Sequence, residues 1–407
     1  MPPRSNIHLL YTARCLRGFG DGFAVIILPV YLSALGLGDT EIGFVAAASL
    51  FGTAAFTLLI GLIAPRHDLR NMLLMGAAIM AFTGIAFPSS EHLILIAAVA
   101  FIGTINPSTG DIGVLVPLEH AFLARSVADE ERTRTFARYS LVGALSMAVG
   151  ALAAGLTDFL VARGLGTLAA FKLMFYLYAA LGITAAAVYQ RLPRPAAAEP
   201  SRPVAPLGPS RDVVYKLAAL FSLDAFAGGF TVQSLLALWL FKKFELSLTA
   251  ASLFFFWTGI LSAFSYPVAA WISGRIGLVN TMVFTHIPSS ICLIAAAFSS
   301  DLTLALGLLL VRSALSQMDV PTRTSYVMAV VTPAERTAAA SVTAVPRSLA
   351  SSISPAFAGM LLTLPFAGLP LVFCGSLKIV YDLALLYSFR HIKPPEEQGA
   401  IPAVKSS

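Results

Sequence analysis

From Arg191 to Arg211 the chain reads RLPRPAAAEPSRPVAPLGPSR. Pro193, Pro195, Pro200, Pro203, Pro206 and Pro209 remove backbone donors at close intervals, and the Arg, Ala and Ser residues between them offer no apolar face to bury. The stretch therefore reads as a solvated, semi-extended linker. It divides the chain into 1–190 and 212–393, with a short tail at 394–407.

On both sides of the linker the sequence is apolar. Of 407 residues, 57% are hydrophobic and 12% charged, against about a quarter charged in a soluble domain. A mean hydropathy of +0.81 over the whole chain leaves too little polar surface to face water, so the bilayer is the solvent. Apolar runs near the length needed to cross a core of about 30 Å recur at 7–35, 42–64, 71–88, 93–118, 134–157 and 167–190, then at 212–241, 248–272, 279–298, 303–330, 336–362 and 369–390. Runs this long and rich in Ala and Leu satisfy their backbone groups as helices rather than as barrel strands. The fold class is all-α integral membrane, with twelve spans arranged six and six.

Basic residues cluster at one set of loop ends, among them Arg66, Arg70, Arg125, Arg194, Arg275, Arg336, Arg390 and Lys393, whereas the other side has little beyond Arg163, Lys242 and Lys243. The positive-inside rule puts both termini in the cytoplasm of a multi-pass cell-membrane protein. The net charge of +6 is thereby a topology signal and implies no nucleic-acid partner. The first apolar run carries Arg14, Arg17 and Asp21 and no clean cleavage site, so it is expected to stay as a helix. Cys15, Cys292 and Cys374 are widely spaced and suggest neither a disulfide framework nor a metal site.

The two halves resemble each other. Phe19, Gly22 and Phe23 match Phe226, Gly229 and Phe230 at an offset of 207; Ala64-x-Arg66-x-x-Leu69-x-Asn71 matches Ser273-x-Arg275-x-x-Leu278-x-Asn280 at 209. Asp111 matches Asp319 at 208, and Glu131-Arg132-Thr133 matches Glu335-Arg336-Thr337 at 204. Four matches in chain order indicate an internal repeat, as in carriers built from two bundles.

The loop Gly61-Leu62-Ile63-Ala64-Pro65-Arg66-His67-Asp68-Leu69-Arg70 resembles the G-x-L-A-D-R-x-G-R-R loop of the major facilitator superfamily, and the likeness extends over nearly all of the chain. Pro65, and Gly274 in the second copy, stand where that family has an Asp; its Arg-x-x-Gln-Gly and Gly-Pro signatures are missing, and no subfamily is assigned. The resemblance implies two pseudo-symmetric six-helix bundles and alternating access. It makes Arg66, Arg70, Asp111, Arg275, Glu335 and Arg336 candidates for gating.

Charges inside the spans are costly unless paired or wetted, and so mark candidate pathways. Arg14, Arg17 and Asp21 share one face of the first span, with Arg17 and Asp21 near mid-membrane and able to pair. Thr104, Ser108 and Asp111 of the fourth span repeat the spacing of Arg312, Ser316 and Asp319 in the tenth, which continues to Arg323. Arg347 shares a face of the eleventh span with Thr343, Ser351 and Ser354. Asp224 falls at the position equivalent to Arg17 and reads either as a protonatable group or as a partner of an Arg. Substrate and proton contacts are expected at Arg17, Asp21, Asp224, Arg312, Asp319 and Arg347, with Asp21 and Asp224 the first candidates to titrate. Lys378 and Asp382, one turn apart, read as a structural pair. At helix ends, Thr332-Pro333-Ala334-Glu335 reads as a capping box and Ser247 as a cap.

No nucleotide-binding loop, metalloprotease motif or nucleophile elbow occurs, so neither ATP nor another cofactor is called for, and the chain does not read as an enzyme. The leading expectation is a monomeric secondary active transporter of a small solute, coupled to protons and exporting it. The arginines suit an organic anion; the acids suit a cationic drug; converging cysteines would suit a metalloid. A non-transporting sensor or scaffold is the alternative.

Overall fold

The computed structural model describes residues 5–63, 67–108, 115–127, 129–193, 207–332 and 335–391. Most of the linker and the C-terminal tail lie outside these residues.

Sixteen helices follow one another. In the first half these are α1 (Ser5–Ala34), α2 (Asp39–Ile63), α3 (Leu69–Ser89), α4 (Leu93–Ile102), α5 (Val116–Ser126), α6 (Asp129–Ala153), α7 (Leu156–Ala162) and α8 (Thr167–Gln190). The second half holds α9 (Arg211–Gly229), α10 (Gln233–Phe244), α11 (Leu248–Ile276), α12 (Leu278–Phe298), α13 (Leu302–Ser316), α14 (Asp319–Val330), α15 (Arg336–Leu362) and α16 (Leu369–Phe389). Four spans are broken, α4/α5, α6/α7, α9/α10 and α13/α14, which leaves twelve crossings. Ten continuous stretches are long and apolar enough to cross a membrane. The other two crossings are α4/α5, interrupted between Gly103 and Leu115, and α15, whose Ser, Thr and Arg content lowers its hydropathy.

Local chemistry sets the ends. Asp68, Ser247 and Asp301 cap α3, α11 and α13 by accepting the amides of Arg70, Ala250 and Leu304 at 2.9, 3.1 and 2.7 Å. Gly277, at φ 88°, turns α11 directly into α12. The box expected at Thr332 forms differently: Glu335 is the residue before α15, and its carboxylate takes the Thr332 hydroxyl at 2.6 Å, while the Thr332 amide turns to the Ser210 hydroxyl at 3.4 Å. Thr104 and Ser108 lie in the break of the fourth span and make no helical stripe, because the chain leaves the helix at Gly103.

The buried apolar residues show how the halves meet. One core runs through both, joining Val25, Tyr31 and Val45 to Trp239, Phe254 and Leu362 at the end remote from the termini. At the terminal end there are two separate cores, one around Leu10, Leu73, Leu123 and Tyr189, the other around Val214, Met282, Tyr326 and Phe389. Hydrogen bonding repeats the pattern. Lys242 pairs with Asp39 across the remote end. Asp158 of α7 accepts the Thr249 amide and hydroxyl, both at 2.8 Å, capping α11 from the opposite half. At mid-depth the Ser234 amide reaches the Pro107 carbonyl at 3.1 Å, so the breaks of the fourth and seventh spans touch. Among the described residues no hydrogen bond or ion pair joins the halves at the terminal end. The halves share one core at the remote end and keep separate cores at the terminal one.

Since Asp158 supplies a helix cap in trans, Asp158→Ala should destabilise only the closed remote end, by about 0.5–2 kcal/mol. Distances between spin labels on the two halves should then show a larger population open at that end, with the unfolding temperature little changed.

Large apolar side chains such as Ile94, Phe264, Phe298 and Tyr387 cover the outer surface, where lipid is their solvent.

Candidate functional site

Mid-membrane polar groups form one cluster in each half. In the first, Glu119 of α5 is fully buried (0% exposed) and serves as the acceptor for three donors. Arg17 of α1 forms an ion pair with it. The Tyr139 hydroxyl donates to the same oxygen, and the Tyr189 hydroxyl to the other at 2.6 Å. One turn beyond Arg17, the Asp21 carboxylate takes, among the described residues, only the Tyr178 hydroxyl, at 2.9 Å, and that hydroxyl also meets Thr104 at 2.9 Å. The expected Arg17–Asp21 pair therefore does not form. Glu119 wins because it reaches the guanidinium from another helix with two phenols in support, while Asp21 turns to the cavity. That cavity, about 570 Å³ counting the solvent at its mouth, is lined by Arg14, Arg17, Asp21, Thr104, Asn106 and Tyr178, among others.

The second half holds a longer chain of contacts. Arg323 donates to Asp319 at 2.9 Å and to Asp224 at 3.3 Å. Lys378 donates to the other oxygen of Asp224 at 2.6 Å and meets Nε2 of His286 at 3.2 Å. His286 Nδ1 lies 3.1 Å from Asp382. Asp224 is thus a partner held by two cations. Lys378 and Asp382 are not in contact: His286 stands between them, because Lys378 turns to the doubly demanding Asp224.

The two clusters are related by the repeat with their signs exchanged. Arg17 on the first span pairs with Glu119 on the fourth; 207 residues after Arg17 stands Asp224, and 204 after Glu119 stands Arg323, which pairs with it.

Arg312 and Arg347 differ from all of these. Neither has an ion pair or side-chain hydrogen bond among the described residues, and the Arg347 Nε is buried without a partner.

Of the gating candidates, Arg66 and Asp111 lie outside the described residues. Arg70 bonds the Gln190 carbonyl, Arg275 stacks on Trp271 at 3.9 Å, and Arg336 donates to the Met328 carbonyl at 3.2 Å, each within its own half. Glu335 accepts the Gly208 amide and the Ser210 hydroxyl (2.7 Å), clamping the end of the linker to the start of α15. These hydrogen bonds, from the Thr332 and Ser210 hydroxyls first, hold its carboxyl at about 2. The clamp is therefore complete above the ordinary glutamate value of about 4.3 and is lost only as pH falls through about 2. Cys15 is exposed and Cys374 buried, and among the described residues no three His, Cys, Asp or Glu side chains gather where a metal ion could sit.

Residues 10–241 match the sequence profile of the Major Facilitator Superfamily. The chain belongs to the major facilitator superfamily. Over 420 aligned residues it is 26% identical to an uncharacterised membrane protein of Saccharomyces cerevisiae, covering 94% of each chain. Solved superfamily transporters share the fold at low identity. The nucleoside transporter NupG is 15% identical, with 94% of this chain and 99% of that one covered and a TM-score of 0.72. The inward-open xylose transporter XylE from E. coli is 14% identical, with 94% and 95% covered and a TM-score of 0.71. A bacterial homologue of the human lysosomal transporter Spinster, inward-facing and unoccupied, is 15% identical, with 94% and 95% covered and a TM-score of 0.69. Superfamily membership makes the chain a multi-pass secondary transporter whose cargo is a small molecule.

Proposed function

We propose that this superfamily member carries a small anionic solute through the mid-membrane cavity, coupled to protons, with the terminal end facing the cytoplasm of the cell membrane. It acts as a monomer, since one chain supplies both six-helix halves. The observation that carries the reading is the pair of arginines, Arg312 and Arg347, that have neither an ion pair nor a side-chain hydrogen bond among the described residues. Within the second half's spans, four cations, Arg312, Arg323, Arg347 and Lys378, face three carboxylates, Asp224, Asp319 and Asp382, among the described residues. An unpaired guanidinium is expensive there, and a carboxylate or phosphate ligand supplies what it lacks.

The test is uptake and release of organic anions and cations by vesicles containing the purified protein, with a proton gradient of either sense. Losing a hydrogen bond to a charged group costs about 1.5–3 kcal/mol, so Arg312→Gln and Arg347→Gln should each weaken the apparent affinity for the transported anion roughly ten- to a hundredfold. Flux of cations alone, unaffected by either change, would sink the anion assignment. A sensor would keep its phenotype in both variants and move nothing. Export, the direction expected from the sequence, is read in the same assay by reversing the gradient.

A further inference from the structure

We propose that Asp382 is the proton-loading site of the carrier, filled through Lys378 and His286. This rests on the transport reading above and assigns the proton-coupling group that reading leaves open.

Asp382 is fully buried, and its Oδ2 has no hydrogen-bond partner; its other oxygen meets only His286. A buried carboxylate with one oxygen unsatisfied is expensive, and a proton on it removes that cost. His286 supplies the route. An ammonium has donors and no acceptor, so Lys378 beside Nε2 at 3.2 Å requires the lone pair there and the hydrogen on Nδ1, facing Asp382. The order of exposure is a path inward: the Lys378 side chain is 13% exposed, His286 2% and Asp382 0%.

The step balances without any co-reactant except water. The Lys378 ammonium gives its proton to the Nε2 lone pair of His286 as the Nδ1–H bond breaks and its proton moves to Asp382. Histidine ends neutral in its other tautomer, and Asp382 ends as a carboxylic acid. The neutral amine, on the one partly exposed side chain of the three, takes a proton from water and is drawn back to the ammonium by Asp224 at 2.6 Å. The net result is one proton carried from water to Asp382.

The other charges around the pair do not compete for this role. On α16, Tyr381 lies with its ring 6.2 Å from the imidazole. On α14, Asp319 is held by Arg323, which also reaches Asp224 of α9. Arg312 on α13 and Arg347 on α15 are permanent cations, and α11 carries no charged residue besides Arg275 in its last turn. Loading Asp382 adds one positive charge to a half that already holds the two unpaired arginines, so proton and anion strengthen each other's binding reciprocally. They then travel in the same direction, and export would be driven by the solute's own gradient.

Infrared difference spectra after an acid step, recorded on the protein in lipid vesicles, test this directly. A protonated-carboxyl carbonyl band should appear in the unaltered protein and vanish in Asp382→Asn. In His286→Gln, which keeps a hydrogen bond but cannot relay, the band should form at least tenfold more slowly. A band that survives Asp382→Asn, no band at all, or unchanged kinetics in His286→Gln would overturn the proposal. Anion flux in the same vesicles separates the two readings: flux without the Asp382 band defeats the relay alone, and the band without flux of any solute defeats the transport reading alone.

Discussion

Glu119→Ala should cost about 3–5 kcal/mol of stability, the usual consequence of removing one member of a buried ion pair. The carboxylate is fully buried, and its loss strands Arg17, 5% exposed, together with the Tyr139 and Tyr189 hydroxyls. Glu119→Gln, which can still accept hydrogen bonds, should cost less. Replacing both partners by apolar residues, as in Arg17→Met with Glu119→Leu, should recover much of the loss, since neither charge is then left alone. Thermal unfolding in detergent measures all three. A loss below about 1 kcal/mol for Glu119→Ala would mean that Arg17 swings to Asp21 instead.

The second large effect is expected at the closed remote end. α2 and α15 approach there with no side chain between them: a Cβ on Gly43 would stand 2.5 Å from the Pro355 carbonyl oxygen and 2.7 Å from the Gly359 Cα. Because backbone is what it would strike, Gly43→Val cannot be absorbed by a rotamer change. Overpacking of this kind costs about 1–3 kcal/mol. That cost falls on the closed arrangement alone, so it shifts the balance between conformations instead of unfolding the protein. A differential of that size changes the ratio of states roughly 5- to 150-fold. Spin labels at the exposed positions Thr40 and Ala250 should report longer distances in Gly43→Val; unchanged distances would show that the remote end does not open by parting α2 from α15.

The helices were legible because hydropathy is local and the bilayer demands it; the repeat was legible because its marks recur in order. The partners of the charges were not. Glu119 lies one residue past the expected end of the fourth span, at 118. The chain leaves the helix at Gly103 and residues 104–108 are not helical, so later residues are displaced relative to a continuous helix. Spacing along α1 put Asp21 beside Arg17, and along α16 put Asp382 beside Lys378, yet both cations turn to other helices. His286, set among mostly apolar and hydroxyl residues on α12, gave no local sign of a partner: Lys378 and Asp382 follow it by 92 and 96 residues. The sign exchange between the halves, with Arg17 and Glu119 against Asp224 and Arg323, was readable in the offsets once Glu119 was placed inside the membrane.

That exchange bears on how the carrier responds to membrane voltage. A fixed charge crossing the full potential changes energy by about 2.3 kcal/mol per 100 mV. When the halves rock, Arg17 with Glu119 and Asp224 with Arg323 move as pairs of opposite sign, so the field does little net work on either. Arg312 and Arg347 have no such companion among the described residues. On the proposal of an anionic solute, the bound anion would cancel part of their charge. The potential would then act most strongly on the return of the empty carrier, and a cell's resting voltage would set how quickly that return is made.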